Sequence, residues 1–380
     1  MNNRFLIVIF FGLQYGLTFS QDNSSSHKLE IGLGNEWNAF LSPSMLMEDE
    51  ELLNQSSLWD NGTFQRVALR NSWKKEGGEY KLKLKANGSL GLFQTEQNSN
   101  RYSYRIGTSY RLKYASKKYF EFAPEVYRKR REGINSDNAV LATPFSFTLI
   151  EAPVGFDFYL GNKSWLKTQI GYMYKNYDKS NDEMLRYHAP FLEASISKKW
   201  VNELVSRKLT VRSLTQKRSY QTRSLVGDFD EELSFREGSR DWLYQFTTIS
   251  YDFSFNDGAT KLGLGMHQTS RIDQSGNNGF HEVGPGVKFS TKSSKVGFST
   301  NAKYTIRRYI SLAPGEENDT PLKYNYLRLN AEVDYNLGSG KKIYARTKFI
   351  NRTSNNPNIE SRSFRDYFNG FVEVGFKVVF

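Results

Sequence analysis

Three polar side chains sit at a spacing that suggests chemistry. His267, Thr269 and Arg271 occupy alternate positions of a run in which Leu262, Leu264 and Met266 occupy the other set. On an extended chain the first three share one face and the apolar residues share the opposite face. Glu282 can reach the same face from the next extended segment. A histidine two residues from a hydroxyl and oriented by an acid is how a nucleophile is activated. The competing reading of His267 is an ordinary polar histidine on a wetted face, and no catalytic residue is assigned. The sequence has no cysteine, which excludes a thiol nucleophile, a thiolate metal site, a disulfide scaffold and a lipid anchor on cysteine. Its four histidines, at 27, 188, 267 and 281, are too scattered for a multi-histidine centre, so no metal and no cofactor is expected.

Charge clusters are the other candidates. The segment 41–61 holds Glu48, Asp49, Glu50, Glu51 and Asp60 without a Lys or Arg. Such carboxylates can hold a hard cation, but the reading preferred is a solvated acidic loop. Arg128-Lys129-Arg130-Arg131 is a basic cluster suited to phosphate groups. The whole chain of 380 residues carries 52 Lys and Arg against 40 Asp and Glu, a formal charge of +12. No Gly-rich loop follows a strand to cradle a nucleotide. Nucleic acid is excluded as a partner by the export signal described next.

Residues 1–20 read as a secretory signal peptide. Arg4 supplies the positive start, Phe5 to Phe11 the apolar run, and Thr18 and Ser20 the small residues before cleavage, leaving Gln21 first. Segment 21–27 is expected to be a short periplasmic lead-in, and 28–380 a single domain. An aromatic share of 15% excludes disorder for most of that domain. No later segment is apolar enough for a spanning helix.

The elements that must position these groups show in a period of two. From Tyr80 to Leu92 the even positions are Tyr80, Leu82, Leu84, Ala86, Gly88, Leu90 and Leu92, and the odd ones include Lys81, Lys83 and Lys85. From Arg101 to Tyr114, Tyr102, Tyr104, Ile106, Tyr110, Leu112 and Tyr114 alternate with Arg101, Arg105, Arg111 and Lys113. About sixteen such segments of roughly 9–14 residues recur, long enough to cross a bilayer at a tilt. Short connections alternate with long polar ones. The fold expected is all-β, an antiparallel transmembrane β-barrel of about 16 strands, with 14 as the alternative, short periplasmic turns and long extracellular loops. Segment 205–216 is the weakest strand, and a bulge is expected near Glu151-Ala152-Pro153. Lys81, Lys83, Lys85, Arg101, Arg105, Arg111 and Lys113 should form a basic arc on the inner face, with Glu121 and Glu125 as the nearest acids. Tyr80, Tyr102, Tyr110, Tyr172, Tyr304 and Tyr335 should lie on the lipid face, suited to interfacial girdles.

The last ten residues carry a resemblance. Val372, Val374, Phe376, Val378 and the terminal Phe380 form an alternating apolar set that resembles the closing strand of Gram-negative outer-membrane β-barrel proteins. The resemblance implies recognition by the barrel-assembly machinery, residence in the cell outer membrane, and outer-membrane lipid and lipopolysaccharide as surroundings. The Tyr/Asn/Lys-rich style and Gln21 after the cleavage site look like a Bacteroidota protein. Gly265 to Ser270 only faintly resembles the His-x-Ser motif of outer-membrane phospholipases: the hydroxyl is on Thr269, and His267 falls on the inner face. The expected function is a diffusion channel or transport component for small solutes, porin-like, with a charged interior and no enzymatic activity. The alternatives are a structural or partner-binding barrel acting through its loops, and, third, a lipid-modifying enzyme.

Overall fold

Strands form wherever the alternation runs. The computed structural model describes residues 23–38, 45–48, 51–54, 62–94, 100–131, 146–177, 186–220, 224–225, 235–236, 240–273, 279–313, 320–357 and 366–380. The segment read as a signal peptide lies outside the described residues. In chain order the wall strands are β1 (Asn23–Trp37), β2 (Gly62–Glu76), β3 (Tyr80–Phe93), β4 (Arg101–Ala115), β5 (Lys118–Phe122 continued by Glu125–Arg131), β6 (Phe147–Gly161), β7 (Ser164–Tyr177) and β8 (Tyr187–Val201). They continue as β9 (Val205–Tyr220), β10 (Arg240–Phe255), β11 (Thr260–Asp273), β12 (Phe280–Lys292), β13 (Val296–Tyr309), β14 (Lys323–Gly338), β15 (Lys341–Ser354) and β16 (Tyr367–Val379).

Each strand pairs antiparallel with its sequence neighbours, and β1 pairs with β16, so the 16-strand sheet closes on itself. The Cα register accumulates a stagger of about 20 residues once round the wall, which for this strand number corresponds to a tilt near the usual 35–45°. At the seam, the His27 and Phe380 backbones exchange hydrogen bonds at 2.9 and 3.0 Å, and their rings stack at 5.9 Å.

Burial is inverted relative to a soluble sandwich. Leu33 and Ile170 are 60% and 58% exposed, while Glu30 and Glu373 are 1% exposed. The apolar set faces outwards and the charged set inwards, the arrangement of a barrel in lipid. The tyrosines read as lipid-facing belong to the outward set, Tyr110, Tyr172, Tyr304 and Tyr335 among them.

The two ends differ. Connections 77–79, 116–117, 162–163, 202–204, 256–259, 293–295 and 339–340 gather at the end that holds both termini of the wall. Asn162 and Lys163 both have positive φ, 48° and 56°, as the tightest hairpin turn requires. Every longer connection lies at the other end. Two small ladders sit in these, Met45–Glu48 with Glu51–Asn54 and Ser224–Leu225 with Phe235–Arg236.

Four details depart from the sequence reading. The wall begins at Asn23, not Lys28, because Asn23 to His27 pair with Lys75 to Asn71 of β2. The segment expected to be weakest becomes β9, 16 residues long and paired along both edges, which removes the 14-strand alternative. No bulge occurs at Glu151-Ala152-Pro153: β6 runs through it in unbroken register with β7. The interruption falls instead in β5, at Ala123-Pro124, without change of register. Ala123 N–H donates to the Pro153 carbonyl and Thr108 N–H to the Pro124 carbonyl. Two prolines in neighbouring strands each remove the reciprocal donor, so the ladder thins there.

Candidate functional site: the barrel interior

The closing seam concentrates charge. β1, β2, β15 and β16 bring Glu30, Arg66, Tyr344, Arg346 and Glu373 together on the inner face. Arg66 Nη2 donates to Glu30 at 2.6 Å and to the Tyr344 hydroxyl at 3.2 Å, and its Nε donates to Glu373 at 3.1 Å. Arg346 donates to Glu373 at 2.6 Å, and the Tyr344 hydroxyl donates to the same carboxylate. Lys28 and Arg70 complete the shell of Glu30 at 2.7 and 3.4 Å. Lys377 bonds Glu332, and Lys342 reaches Asp334 at 2.8 Å, which extends the network into β14. Gly32 makes room for it: a Cβ there would come within 2.6 Å of the Tyr344 hydroxyl.

The basic arc lies on the inner face, and the structure pairs about half of it. Lys81 meets Glu76 at 2.8 Å, Arg105 meets Glu125 at 3.2 Å, Arg111 meets Asp157 at 2.7 Å, and Arg101 bonds Glu36. Lys83, Lys85 and Lys113 make no ion pair among the described residues. Glu121, across from Arg111, accepts from Ser109 of β4 at 2.9 Å and from Lys167 of β7 at 3.3 Å, so its ion pair is with β7. The sequence reading took Glu121 and Glu125 as the acids nearest the arc. It missed Glu76, which closes β2 directly across from Lys81, and Asp157, which reaches in from two strands away.

A feature with no forecast lines the end of the interior nearest the long connections. Inward-facing arginines there stack between inward-facing rings. Arg218 lies 5.0 and 4.0 Å from the ring centres of Tyr187 and Tyr244. Arg271 lies 4.3 and 4.6 Å from Trp242 and Phe280, Arg307 4.2 and 5.1 Å from Phe280 and Tyr326, and Arg352 5.2 and 4.4 Å from Tyr324 and Tyr367. The arginines come from β9, β11, β13 and β15, and the rings from the even-numbered strands between and beside them. Several of the rings are buried, Tyr187, Phe280, Tyr324 and Tyr326 among them. Each such contact contributes about 0.5–2 kcal/mol, and together they hold the outer part of the interior in one shape. The signal was present in the sequence: β8, β10, β12, β14 and β16 carry aromatic residues at inner-face positions beside the long connections, Tyr187, Tyr244, Phe280, Tyr324 and Tyr367 among them.

The nucleophile-like constellation is not assembled. His267 faces Thr248, Nδ1 to Oγ1 at 3.4 Å. Glu282 is the cross-strand partner of Thr269, but its carboxylate is held by Arg307 at 2.7 and 2.9 Å. No relay links histidine, hydroxyl and acid. Among the described residues no group of three His, Asp or Glu has metal-binding geometry. The side chains of the acidic loop lie outside the described residues.

Open space remains between these groups. One cavity, about 1360 Å³, is bounded by Arg111 and Asp157 on one side and by Glu332 and Arg346 on the opposite side of the barrel. A second, about 520 Å³, is lined by Glu151, Arg218, Phe191, Phe246, His267 and Lys303 among others. Lys81, Lys83 and Lys85 line a third of about 300 Å³.

No family model matches the chain, and no curated protein does. Solved structures do resemble it. OccAB1 of Acinetobacter baumannii superposes with a TM-score of 0.53 over 95% of this chain and 97% of that one, at 9% identity. The outer membrane channel DcaP of Acinetobacter baumannii gives 0.48 over 96% and 99%, at 12% identity. An anion-selective porin from Comamonas acidovorans gives 0.41 over 94% and 99%, at 12% identity. At these identities the likeness is one of fold. The fold is that of Gram-negative outer-membrane β-barrels.

Proposed function

We propose that this protein is an outer-membrane diffusion channel for small hydrophilic solutes, with a weak preference for anions. The observation that carries the reading is the cavity of about 1360 Å³ whose walls come from opposite sides of the barrel. Side chains do not fill the interior at that level, as expected for sixteen strands. Lys83, Lys85 and Lys113, left without ion pairs, supply the positive potential that would enrich anions. Both termini of the wall lie at the end of the short turns, as they would if that end faced the periplasm. The alternating set Val372, Val374, Phe376, Val378 and Phe380 would be presented to the assembly machinery, and Arg128 and Arg130, on outward positions near the long loops, would meet lipopolysaccharide phosphates. The test is single-channel recording of the purified protein in a planar bilayer. Discrete ohmic conductance steps are expected. A folded barrel that never conducts overturns the proposal and leaves the structural or partner-binding reading.

A further inference from the structure

Inside the barrel nearly every carboxylate is taken by a cation. The cavity of about 520 Å³ departs from that rule. Glu151 of β6 lies directly across from Glu125 of β5, whose carboxylate is occupied by Arg105 at 3.2 Å. Glu151 itself makes no ion pair among the described residues. Three strands on, Arg218 donates from Nε to Gln216 at 3.1 Å and is sandwiched by rings, again without a carboxylate partner among the described residues. Lys303 of β13, in the same wall, likewise has none. The remaining charged pair of this cavity, Arg212 and Glu193, is mutually satisfied by two hydrogen bonds of 2.8 and 2.7 Å. Between the unpaired groups the wall is apolar at Met173, Phe191 and Phe246, and amide-bearing at Gln169 and Gln216.

An acid on one side of a cavity and cations on another, neither neutralised by the protein, form a fixed dipole. A simple anion gains from Arg218 and Lys303 and is repelled by Glu151, and a simple cation meets the reverse. A solute with both charges, held apart by an uncharged body, satisfies both ends. We propose that this cavity is a waiting site for zwitterionic solutes of the size of a short peptide. The ammonium group faces Glu151, the carboxylate faces Arg218 with Lys303 behind it, and the body lies along Met173, Phe191 and Phe246. The inference rests on the channel reading and names its substrate class.

The full-length protein reconstituted in liposomes provides the test. The probe is trialanine in four forms: both ends free, N-acetylated, C-amidated, and capped at both ends. Swelling rates report permeation, and KCl conductance of the same preparation is recorded separately. A unit charge about 7 Å away in a water-filled site changes occupancy by a factor of about three. The form with free ends should therefore permeate at least about three-fold faster than the doubly capped one. Glu151→Gln should remove the advantage of a free amine, and Arg218→Gln that of a free carboxylate. If a variant fails to show heat-modifiable migration, blockade of the wild-type current by trialanine, stronger than by its doubly capped form, serves instead. Equal permeation and equal blockade by all four forms through a conducting wild-type pore would overturn this proposal and leave the channel reading intact. Absence of KCl conductance would overturn both. Fastest passage of the N-acetylated form would show that the basic arc governs, and would also overturn it.

Discussion

Replacing Arg66 with methionine removes the central cation of the seam while keeping side-chain bulk. Glu30 and Glu373, both 1% exposed, then lose the guanidinium that joins them. Glu30 retains Lys28 at 2.7 Å, and Glu373 retains Arg346 at 2.6 Å and the Tyr344 hydroxyl. Two contacts to carboxylates are lost, at about 1.5–3 kcal/mol each, together with the bond to the Tyr344 hydroxyl, and the surviving cations recover part of that. A net loss of about 3–4 kcal/mol is expected, within the range for breaking a buried pair from one side. Arg212→Met is the control: its partner Glu193 is bonded as closely, but the arginine is 54% exposed, and such pairs contribute about 1 kcal/mol or less. Equilibrium urea unfolding in lipid vesicles, followed by heat-modifiable migration, gives both numbers. Arg66→Met together with Glu373→Gln should cost less than the sum of the single changes, because the two act through one contact. Equal losses for Arg66→Met and Arg212→Met would mean that water solvates the seam, and the reasoning from burial would fail.

Leu84→Arg or Ile106→Arg, on outward positions, should cost about 2–4 kcal/mol and lower the yield of folded barrel. Lys83→Ala at an inward position should leave that yield unchanged, and equal tolerance would overturn the facing. Lys83→Glu with Lys85→Glu should abolish the anion preference measured as a reversal potential at 0.1 M KCl. Arg105→Glu should change it less, since Glu125 already offsets Arg105 at 3.2 Å. The preference of the wild type should fade at 1 M, where the Debye length shrinks from about 10 Å to about 3 Å. Deleting Phe380 removes the two backbone bonds to His27 and should lower the folded fraction recovered in membranes. Full recovery would show that the seam closes without them.

The wall was legible because lipid and water on opposite faces write a strict period of two into each strand. Tyr80 to Leu92 and Arg101 to Tyr114 needed nothing else to be placed. Boundaries were less legible where a strand leaves the bilayer. Asn23 to His27 carries no apolar set, yet pairs because β2 extends beside it. Of the two prolines, only Pro153 of β6 marks itself in the sequence, where the inward Leu149 and Gly155 blur the alternation. The break shows in β5 only once Pro124 is seen as the neighbour of that site. The interior was least legible. Which cation meets which acid depends on side chains several strands apart. Arg66 meets Glu373, 307 positions away, and no local pattern encodes that. The unpaired state of Glu151 is likewise a property of the set, visible only after Glu125 has been assigned to Arg105.

The seam also sets an order in time. Arg66 and Glu30 belong to the first two strands of the wall, and Glu373 and Arg346 to the last two. Contacts separated by 307 and 278 positions are slow to form, because a long loop must close before they contribute. Until β16 arrives, β1 presents an unpaired edge and the guanidinium of Arg66 lacks half its carboxylates. A chain cut short before Glu373 leaves Arg66 and Arg346 without the carboxylate they share in the finished wall. The same residues that close the sheet thus complete the charge network, and a truncated chain keeps an unpaired sheet edge.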